Sequence, residues 1–250
     1  MNALSKNIVI GATGLASLVA PMQTNAQTLE VADQKPLINS PYISSTIKSE
    51  YGGSRGFTSS TGGAWQNDFG FNIGKVTFDC WSNFDVQKNK LNEIDYGLSY
   101  GFNFKGNNIS ISATDFTSPT SDFKNCVEIG VNVSRNLTSG KYPLSVNAYA
   151  GELFGVKEYE GQFFSLGLNQ SVPIVKNVKL DLSTMVAYDN HYFGVQGSGF
   201  SHAQVGAGLD VKLMKDIHVK PFVSVQKAVE SLGGTFKDNL VYGLTVSKSW

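Results

Sequence analysis

Charged residues, cysteine and long apolar runs are all scarce in this chain of 250 residues. Charged residues make up 16% of the chain, against about 25% in an ordinary soluble domain. The 20 Lys and Arg are matched by 20 Asp and Glu, so the chain lacks the basic excess of a nucleic-acid-binding protein. Two cysteines are too few for a disulfide scaffold or a cysteine-based metal site. Outside the N-terminus no run of about 20 apolar residues occurs, which excludes a bundle of membrane-spanning helices.

The first residues, 1–26, are typical of a secretory signal peptide. Lys6 supplies the positive start, a short apolar segment covers 8–20, and residues 24–26 place small side chains where a signal peptidase cleaves. We therefore expect the chain to be exported. The polar residues 27–40 show no periodicity and predict a flexible segment that leads into the folded domain.

From residue 41 to residue 250 the sequence alternates between apolar and polar side chains. Successive side chains of a strand point to opposite faces, so each alternating segment predicts a strand with one apolar and one polar face. The segment 94–104 is the clearest example, with an apolar residue at every even position. Counted in this way, the chain predicts twelve strands: 41–51, 64–74, 75–86, 92–104, 107–116, 124–135, 142–153, 160–172, 177–188, 200–213, 217–227 and 239–250.

The connections between these strands alternate between short turns and long polar loops, which with an even strand number is typical of outer-membrane barrels. Tyr96, Tyr188 and Tyr242 lie on the apolar faces, as in the aromatic girdles at membrane interfaces. We therefore predict an all-β fold: a single antiparallel transmembrane β-barrel of about 12 strands, formed by 41–250, in the bacterial outer membrane. A secreted β-sandwich, whose apolar faces pack against each other, is the alternative.

The polar faces of such a barrel surround a central cavity that is richer in acids than in lysines. The candidates for its lining are Glu50, Asp68, Asp79, Glu93, Asp95, Glu128, Lys179, Asp181, Asp210 and Lys212. Acids along a confined path attract cations, and glycines such as Gly97, Gly130, Gly208 and Gly243 are expected to leave space. These features predict a porin that passes small polar solutes by diffusion, with a weak preference for cations. The alternative is a non-conducting barrel, plugged by paired charges, whose loops bind a ligand or partner.

The chain stops on Trp250, directly after an alternating strand. This terminal aromatic residue resembles the ending that the barrel-assembly machinery reads in bacterial outer-membrane proteins. Lys248 departs from that ending, where an apolar residue is usual, but its long side chain can reach the membrane interface. We therefore expect two further partners, the assembly machinery and outer-membrane lipid.

Residues that could carry out chemistry are few. Asp189, His191 and His202 are the one plausible metal-binding group, although a solvated loop histidine is far commoner. Ser201 and His202 are adjacent, so regular alternation would turn them to opposite faces and prevent a hydrogen-bonded pair. We therefore expect no enzyme activity, no metal and no cofactor, with a barrel lipase as a minor alternative.

The two cysteines are expected to remain unpaired. By alternation Cys80 shares the lipid-facing side of its strand, whereas Cys126 shares the side of Glu128 that faces the lumen. Opposite faces and non-adjacent strands make a disulfide unfavourable.

Several motifs within residues 45–116 resemble the TorF-like family of outer-membrane porins. They are Ser49-Glu50-Tyr51, Ser54-Arg55-Gly56-Phe57, Trp81-Ser82-Asn83-Phe84-Asp85, Glu93-Ile94-Asp95-Tyr96, Ser99-Tyr100 and Thr114-Asp115-Phe116. Gly52-Gly53 departs from the pattern, which has an aromatic residue before the arginine. The resemblance implies an outer-membrane location and a pore-like fold, and it makes Arg55 a candidate functional residue in a loop.

Overall fold

The structure is a computed structural model that describes residues 39–52, 58–60, 62–229 and 236–250. The predicted signal peptide and Arg55 lie outside these residues. The strands are β1 (Asn39–Lys48), β2 (Tyr51–Gly52), β3 (Thr58–Ser60), β4 (Ala64–Ile73), β5 (Val76–Asp85), β6 (Lys90–Phe104), β7 (Asn107–Thr117), β8 (Cys126–Asn136), β9 (Leu144–Phe154), β10 (Gln162–Val175), β11 (Val178–Asn190), β12 (Ser198–Met214), β13 (Ile217–Ala228) and β14 (Asn239–Ser249). A short 3₁₀ turn covers Tyr192–Gly194. In the described ranges, no helix is long and apolar enough to cross a membrane.

β1 and β4 to β14 form one closed antiparallel sheet of twelve strands. Each strand pairs with its neighbour in the chain, and β1 closes the sheet by pairing with both β14 and β4. Closure gives every strand two neighbours, so the barrel presents no open edge of unpaired backbone groups. The predicted barrel is confirmed, and the two-sheet sandwich is not formed. The short strands β2 and β3 make a separate hairpin.

The connections divide the barrel into two ends. At the turn end, the connections are 74–75, 105–106, 137–143, 176–177 and 215–216, and at the loop end they are 49–63, 86–89, 118–125, 155–161, 191–197 and 229–238.

The two-residue turn at Lys105 and Gly106 has positive φ at both positions, 50° and 79°, as the tight hairpin turn that suits twisted strands requires. The connection 137–143 is the longest at the turn end. It is held closed by Thr138, whose hydroxyl accepts the Leu144 N–H at 2.9 Å and donates to the Tyr142 carbonyl at 3.1 Å.

Apolar side chains lie on the outside of the barrel and polar side chains on the inside. Leu166 and Val205 are 53% and 60% exposed on the outer face, while Asn83 and Gln204 are 0% and 2% exposed inside. This distribution is the reverse of a soluble core, and it is stable where the outer face meets hydrocarbon. The alternation of the sequence thus distinguishes lipid from lumen.

A matched pair of substitutions on β8 tests this assignment. Val131 faces outward and is 40% exposed, whereas the next residue, Asn132, faces the lumen and is half-buried. We expect Val131→Arg to lower the free energy of unfolding in lipid vesicles by about 2–4 kcal/mol, the cost of a basic residue near the bilayer midplane. Asn132→Arg should cost clearly less, because its guanidinium lies in the polar interior. Equal effects in a denaturant titration would contradict a lipid-facing outer surface.

Candidate functional site: the barrel interior

The acidic candidates on β4 to β8 lie on one side of the barrel interior. Asp68, Asp79, Glu93, Asp95 and Glu128 are all buried, with 1–6% of their surface exposed. Asp68 of β4 and Asp95 of β6 lie opposite the same β5 residue, Trp81, one on each side. Glu128 lies two strands further along the sheet, on β8, so the acids share one wall. We call these five residues the acidic wall.

Two side chains from β1 reach the acidic wall. The Tyr42 hydroxyl is hydrogen-bonded to Asp68, and Lys48, which is 4% exposed, attracts the charge of Glu93. Glu50 lies beyond the end of β1, in the first loop, where partial burial raises the pKa of its carboxyl. It therefore stands at the loop end and is not part of the acidic wall.

The opposite wall, formed by β11 to β13, balances its acids with bases. Lys220 donates a hydrogen bond to Asp181, and His218 Nδ1 lies 2.7 Å from Asp210 Oδ1. Lys179 and Lys212 occupy inward positions near the turn end and are exposed. These two inward side chains near the turn end are therefore accessible to solvent.

The sequence predicts that the lumen glycines leave empty space, and this prediction is wrong. A Cβ at Gly97 would lie 2.4 Å from the Asp79 carboxylate, and one at Gly208 would lie 2.9 Å from Lys220 Cε. Tyr149 covers Gly130 in the same way, and Lys48 and Phe222 cover Gly243. Each glycine lets a side chain of a neighbouring strand lie flat against the wall, which holds the charged groups at fixed positions near the perimeter.

Loop residues pack against the inner wall at the loop end. The side chains concerned are Phe123, Val156, Tyr159, Tyr192 and Phe193, which pack with wall residues in one hydrophobic cluster. We call these five residues the aromatic plug. The ring of Phe193 stacks on Tyr159 with centroids 5.2 Å apart, and the ring of Tyr192 lies 5.7 Å from Phe163 of the wall. No periodicity marks these loops in the sequence, so the alternation pattern does not predict the plug.

Glu128 joins the aromatic plug to the acidic wall. The hydroxyl of Tyr149 donates to Glu128 Oε1, and the hydroxyl of Tyr192 donates to Oε2. The backbone N–H of Tyr192 also donates to Asp189 Oδ1 at 3.0 Å. Both oxygens of the Glu128 carboxylate thus accept a tyrosine hydroxyl, one from the wall and one from the plug.

The hairpin of β2 and β3 covers the other side of the loop end. The ring of Tyr51 packs on Trp81 inside the barrel with centroids 5.5 Å apart. Ser60 Oγ accepts a hydrogen bond from Asn83 Nδ2 at 3.2 Å, and Asn83 donates to Asn92 Oδ1 at 2.6 Å. These contacts place the ends of the first loop against the acidic wall.

Two β-bulges turn consecutive residues into the interior. On β6 the pairing slips between Asn83 and Phe84, and both Asn92 and Glu93 are buried. On β12 the register shifts where Ala187 pairs with His202 and Tyr188 pairs with Phe200, so Ser201 is the extra residue. A bulge adds one residue to a strand and reverses the phase of alternation beyond it.

The prediction that Ser201 and His202 face opposite sides is wrong because of the bulge on β12. Both residues are 0% exposed, and Ser201 Oγ lies 3.1 Å from His202 Nδ1. The His202 ring stacks between Phe163 and Phe236, at centroid distances of 6.4 and 5.8 Å. The pair is thus sealed inside the loop end, away from lipid substrate. A change of phase in the sequence, with Phe200 and Ala203 both outward, could have revealed the bulge.

The remaining candidate residues do not converge on a metal site. His191 is exposed and His202 is fully buried, while Asp189 is engaged with the Tyr192 backbone. Within the described ranges, no group of three or more His, Cys, Asp or Glu is arranged to hold a metal ion. Cys80 and Cys126 are both free, as predicted, with Cys126 buried in the lumen.

Comparison with known proteins identifies barrels of the same shape. The KdgM porin matches with a TM-score of 0.55 and 14% identity, over 84% of this chain and 99% of the porin. The NanC porin matches with a TM-score of 0.56 and 10% identity, over 82% of this chain and 98% of the porin. An outer membrane channel from Pseudomonas putida F1 matches with a TM-score of 0.55 and 10% identity, over 89% of this chain and 100% of the channel. No protein-family model and no curated protein matches the sequence.

The plug can be tested through Cys126, which belongs to the same buried cluster as Tyr192. In a Cys80→Ser background, a charged thiol reagent should modify Cys126 slowly, since 3% of this residue is exposed. We expect Tyr192→Ala to raise the rate at least tenfold, because it removes both the packing of the ring and the bond to Glu128. Tyr142→Ala, at an exposed tyrosine of the turn end, is the control. If mass spectrometry shows that Cys126 is labelled at the same rate with and without the Tyr192→Ala substitution, Tyr192 does not seal the cluster.

Proposed function

We propose that the protein is an outer-membrane porin that passes small polar solutes by diffusion with a weak preference for cations. The observation that carries the proposal is the acidic wall inside a closed barrel that has an apolar outer face and solvent-exposed inward side chains, Lys179 and Lys212, at the turn end. Polar inward faces supply a path for solutes, and the apolar outer face matches the hydrocarbon of a bilayer. The similar folds of the KdgM and NanC porins support this reading.

The preference for cations follows from the uneven distribution of charge. The five carboxylates of the acidic wall lie on β4 to β8, and together with Asp181 and Asp210 they outnumber the inward lysines Lys48, Lys179, Lys212 and Lys220. A cation that moves along the interior therefore meets a favourable potential. Water is confined there, so these charges act at close range.

The aromatic plug determines when this path is open. It closes the loop end by packing of rings and by the hydrogen bond from Tyr192 to Glu128. In the proposed mechanism, conduction requires the plug to leave the barrel mouth, and the closed arrangement is a resting state. If the plug never opens, the protein is instead a non-conducting barrel whose loops bind a ligand or partner, and this is the second candidate function.

Location, assembly and family belong to the same proposal. We place the barrel in the bacterial outer membrane, exported by the signal peptide 1–26 and inserted by the barrel-assembly machinery through the last strand and the Trp250 that follows it. Membership of the TorF-like family is proposed from the ordered motifs in 45–116. Trp81 of those motifs lies inside the barrel against Tyr51, where it supports the wall.

Opening of the plug should be visible as conductance. In planar bilayers we expect the wild-type protein to conduct weakly or in brief openings. The double variant Tyr192→Ala/Phe193→Ala should have an open probability at least tenfold larger than the wild type, because neither ring then fills the mouth. Phe164→Ala, on the lipid-facing side of β10, is a matched control that removes an aromatic ring outside the lumen.

The two candidate functions give different results in this experiment. A variant that conducts while the control behaves as wild type supports a channel closed by the plug. Absence of conductance in both proteins, with barrels that still shift in mobility between boiled and unboiled samples, would establish the non-conducting alternative.

Selectivity should depend on the acidic wall. Under a salt gradient we expect a reversal potential of the sign that indicates cation preference. Asp79→Asn/Asp95→Asn should bring it toward zero, since two carboxylates of the acidic wall become neutral. Asp115→Asn, which removes a carboxylate from the outer face of β7, should leave it unchanged. Anion preference in the wild type would overturn the proposed selectivity, and an equal effect of the Asp115 control would show that the interior charges do not set it.

A further inference from the structure

Lysine occurs in every connection at the turn end. The positions are Lys75, Lys105, Lys141, Lys176 and Lys215, one in each of the five turns, and Lys248 lies at the same level near the end of β14. Five of the six side chains are exposed, and Lys248 is half-buried. We call these six residues the basic ring. They surround the circumference of the barrel at one end.

Among the described residues, the lysines of the basic ring have no acidic partners. In the described part of the chain none of the six takes part in a salt bridge, whereas loop-end lysines do: Lys90 pairs with Asp122 at 2.7 Å and Lys124 with Glu158 at 3.1 Å. Asp216 is the one acid in the five turns, and it forms no salt bridge with its neighbour Lys215. The turn end therefore carries uncompensated positive charge, while the loop end is largely neutralised.

Contacts with aromatic rings place the ammonium groups on the outer circumference. Lys248 Nζ lies 4.4 Å from the centroid of the Trp250 ring, and Lys105 Nζ lies 5.3 Å from that of Phe104. Both rings are exposed on the lipid-facing side, by 59% and 55%. Lysines at that border lie beside lipid headgroups and away from the lumen, so the charge they attract belongs to the membrane and not to a solute in the channel.

We propose that the basic ring binds the headgroups of anionic phospholipids in the leaflet at the turn end. The inference rests on the proposed membrane location of the barrel. A phosphate headgroup complements a lysine that has no other partner, and each basic residue near an anionic surface strengthens binding by about fivefold. The polymer of the cell wall, which is also anionic, is the competing partner, but the contacts of Lys105 and Lys248 with lipid-facing rings favour lipid.

The tryptophans allow the two ends of the barrel to be measured separately. Trp250 lies at the turn end, Trp65 lies on the outer face near the loop end, and Trp81 is 2% exposed inside the lumen. Lipids with brominated acyl chains quench a tryptophan that they contact. The Trp65→Phe variant therefore reports on lipid at the basic ring, and the Trp250→Phe variant reports on lipid at the loop end.

The experiment compares brominated phosphatidylglycerol with brominated phosphatidylcholine in vesicles that hold the refolded barrel. At Trp250 we expect the anionic lipid to bind roughly tenfold or more tightly than the neutral lipid, and at Trp65 we expect a ratio near one. Lys215 is the ring lysine next to this reporter, since the Ser249 N–H donates to the Asp216 carbonyl at 3.1 Å. Lys215→Gln/Lys248→Gln should bring the ratio at Trp250 close to one, and Lys88→Gln/Lys157→Gln at the loop end should not change it.

Three other results would contradict either lipid binding by the basic ring or the membrane location of the barrel. Equal ratios at both tryptophans, with normal quenching by the neutral lipid, would reject the basic ring but leave the barrel in its membrane. Absence of quenching at both positions would reject the membrane location itself. Loss of binding to purified cell-wall sacculi in Lys215→Gln/Lys248→Gln, with no lipid preference, would assign the ring to the cell wall instead.

Discussion

Closure of the sheet is the constraint on which the rest of the structure depends. A bilayer offers no hydrogen-bond partners to the backbone, so a sheet that crosses it must pair every strand on both sides. β1 satisfies this condition by pairing with both β14 and β4. Once the sheet is closed, its two faces acquire opposite environments, and the same alternation that places Leu98 in lipid places Asp95 and Gly97 in the interior.

Closure also forces a large number of polar side chains into a small volume, and the two walls solve this problem differently. On β11 to β13 the acids are paired with bases, as Asp181 is with Lys220. On β4 to β8 two of the acids are held by hydroxyl donors, Asp68 by Tyr42 and Glu128 by Tyr149. Glycines on the neighbouring strands make room for these side chains along the wall. The charge pattern of the interior is therefore a consequence of which residues lie over which glycines.

The sequence predicts the barrel well because period-two alternation persists through twelve segments, and each segment of about ten residues has one face for lipid. It predicts less of the site. The positions of Asn92 and Ser201 depend on bulges, which reverse the phase of alternation within a strand and leave only a brief mark in the pattern. The aromatic plug depends on contacts between distant positions, such as the bond from Tyr192 to Glu128. Loop residues show no periodicity that would indicate such a partner.

The bond between Tyr192 and Glu128 joins closure of the mouth to the charge of the path. While the plug is in place, both carboxylate oxygens of Glu128 accept tyrosine hydroxyls, so this acid presents little free charge to an ion. In the proposed channel, departure of the plug removes the donor from one oxygen, which water or a cation then solvates. Under that proposal, opening the mouth and strengthening the attraction for cations are a single event. A cation bound at Glu128 would stabilise the open arrangement, because it would compete with the hydroxyl of Tyr192 for the same oxygen.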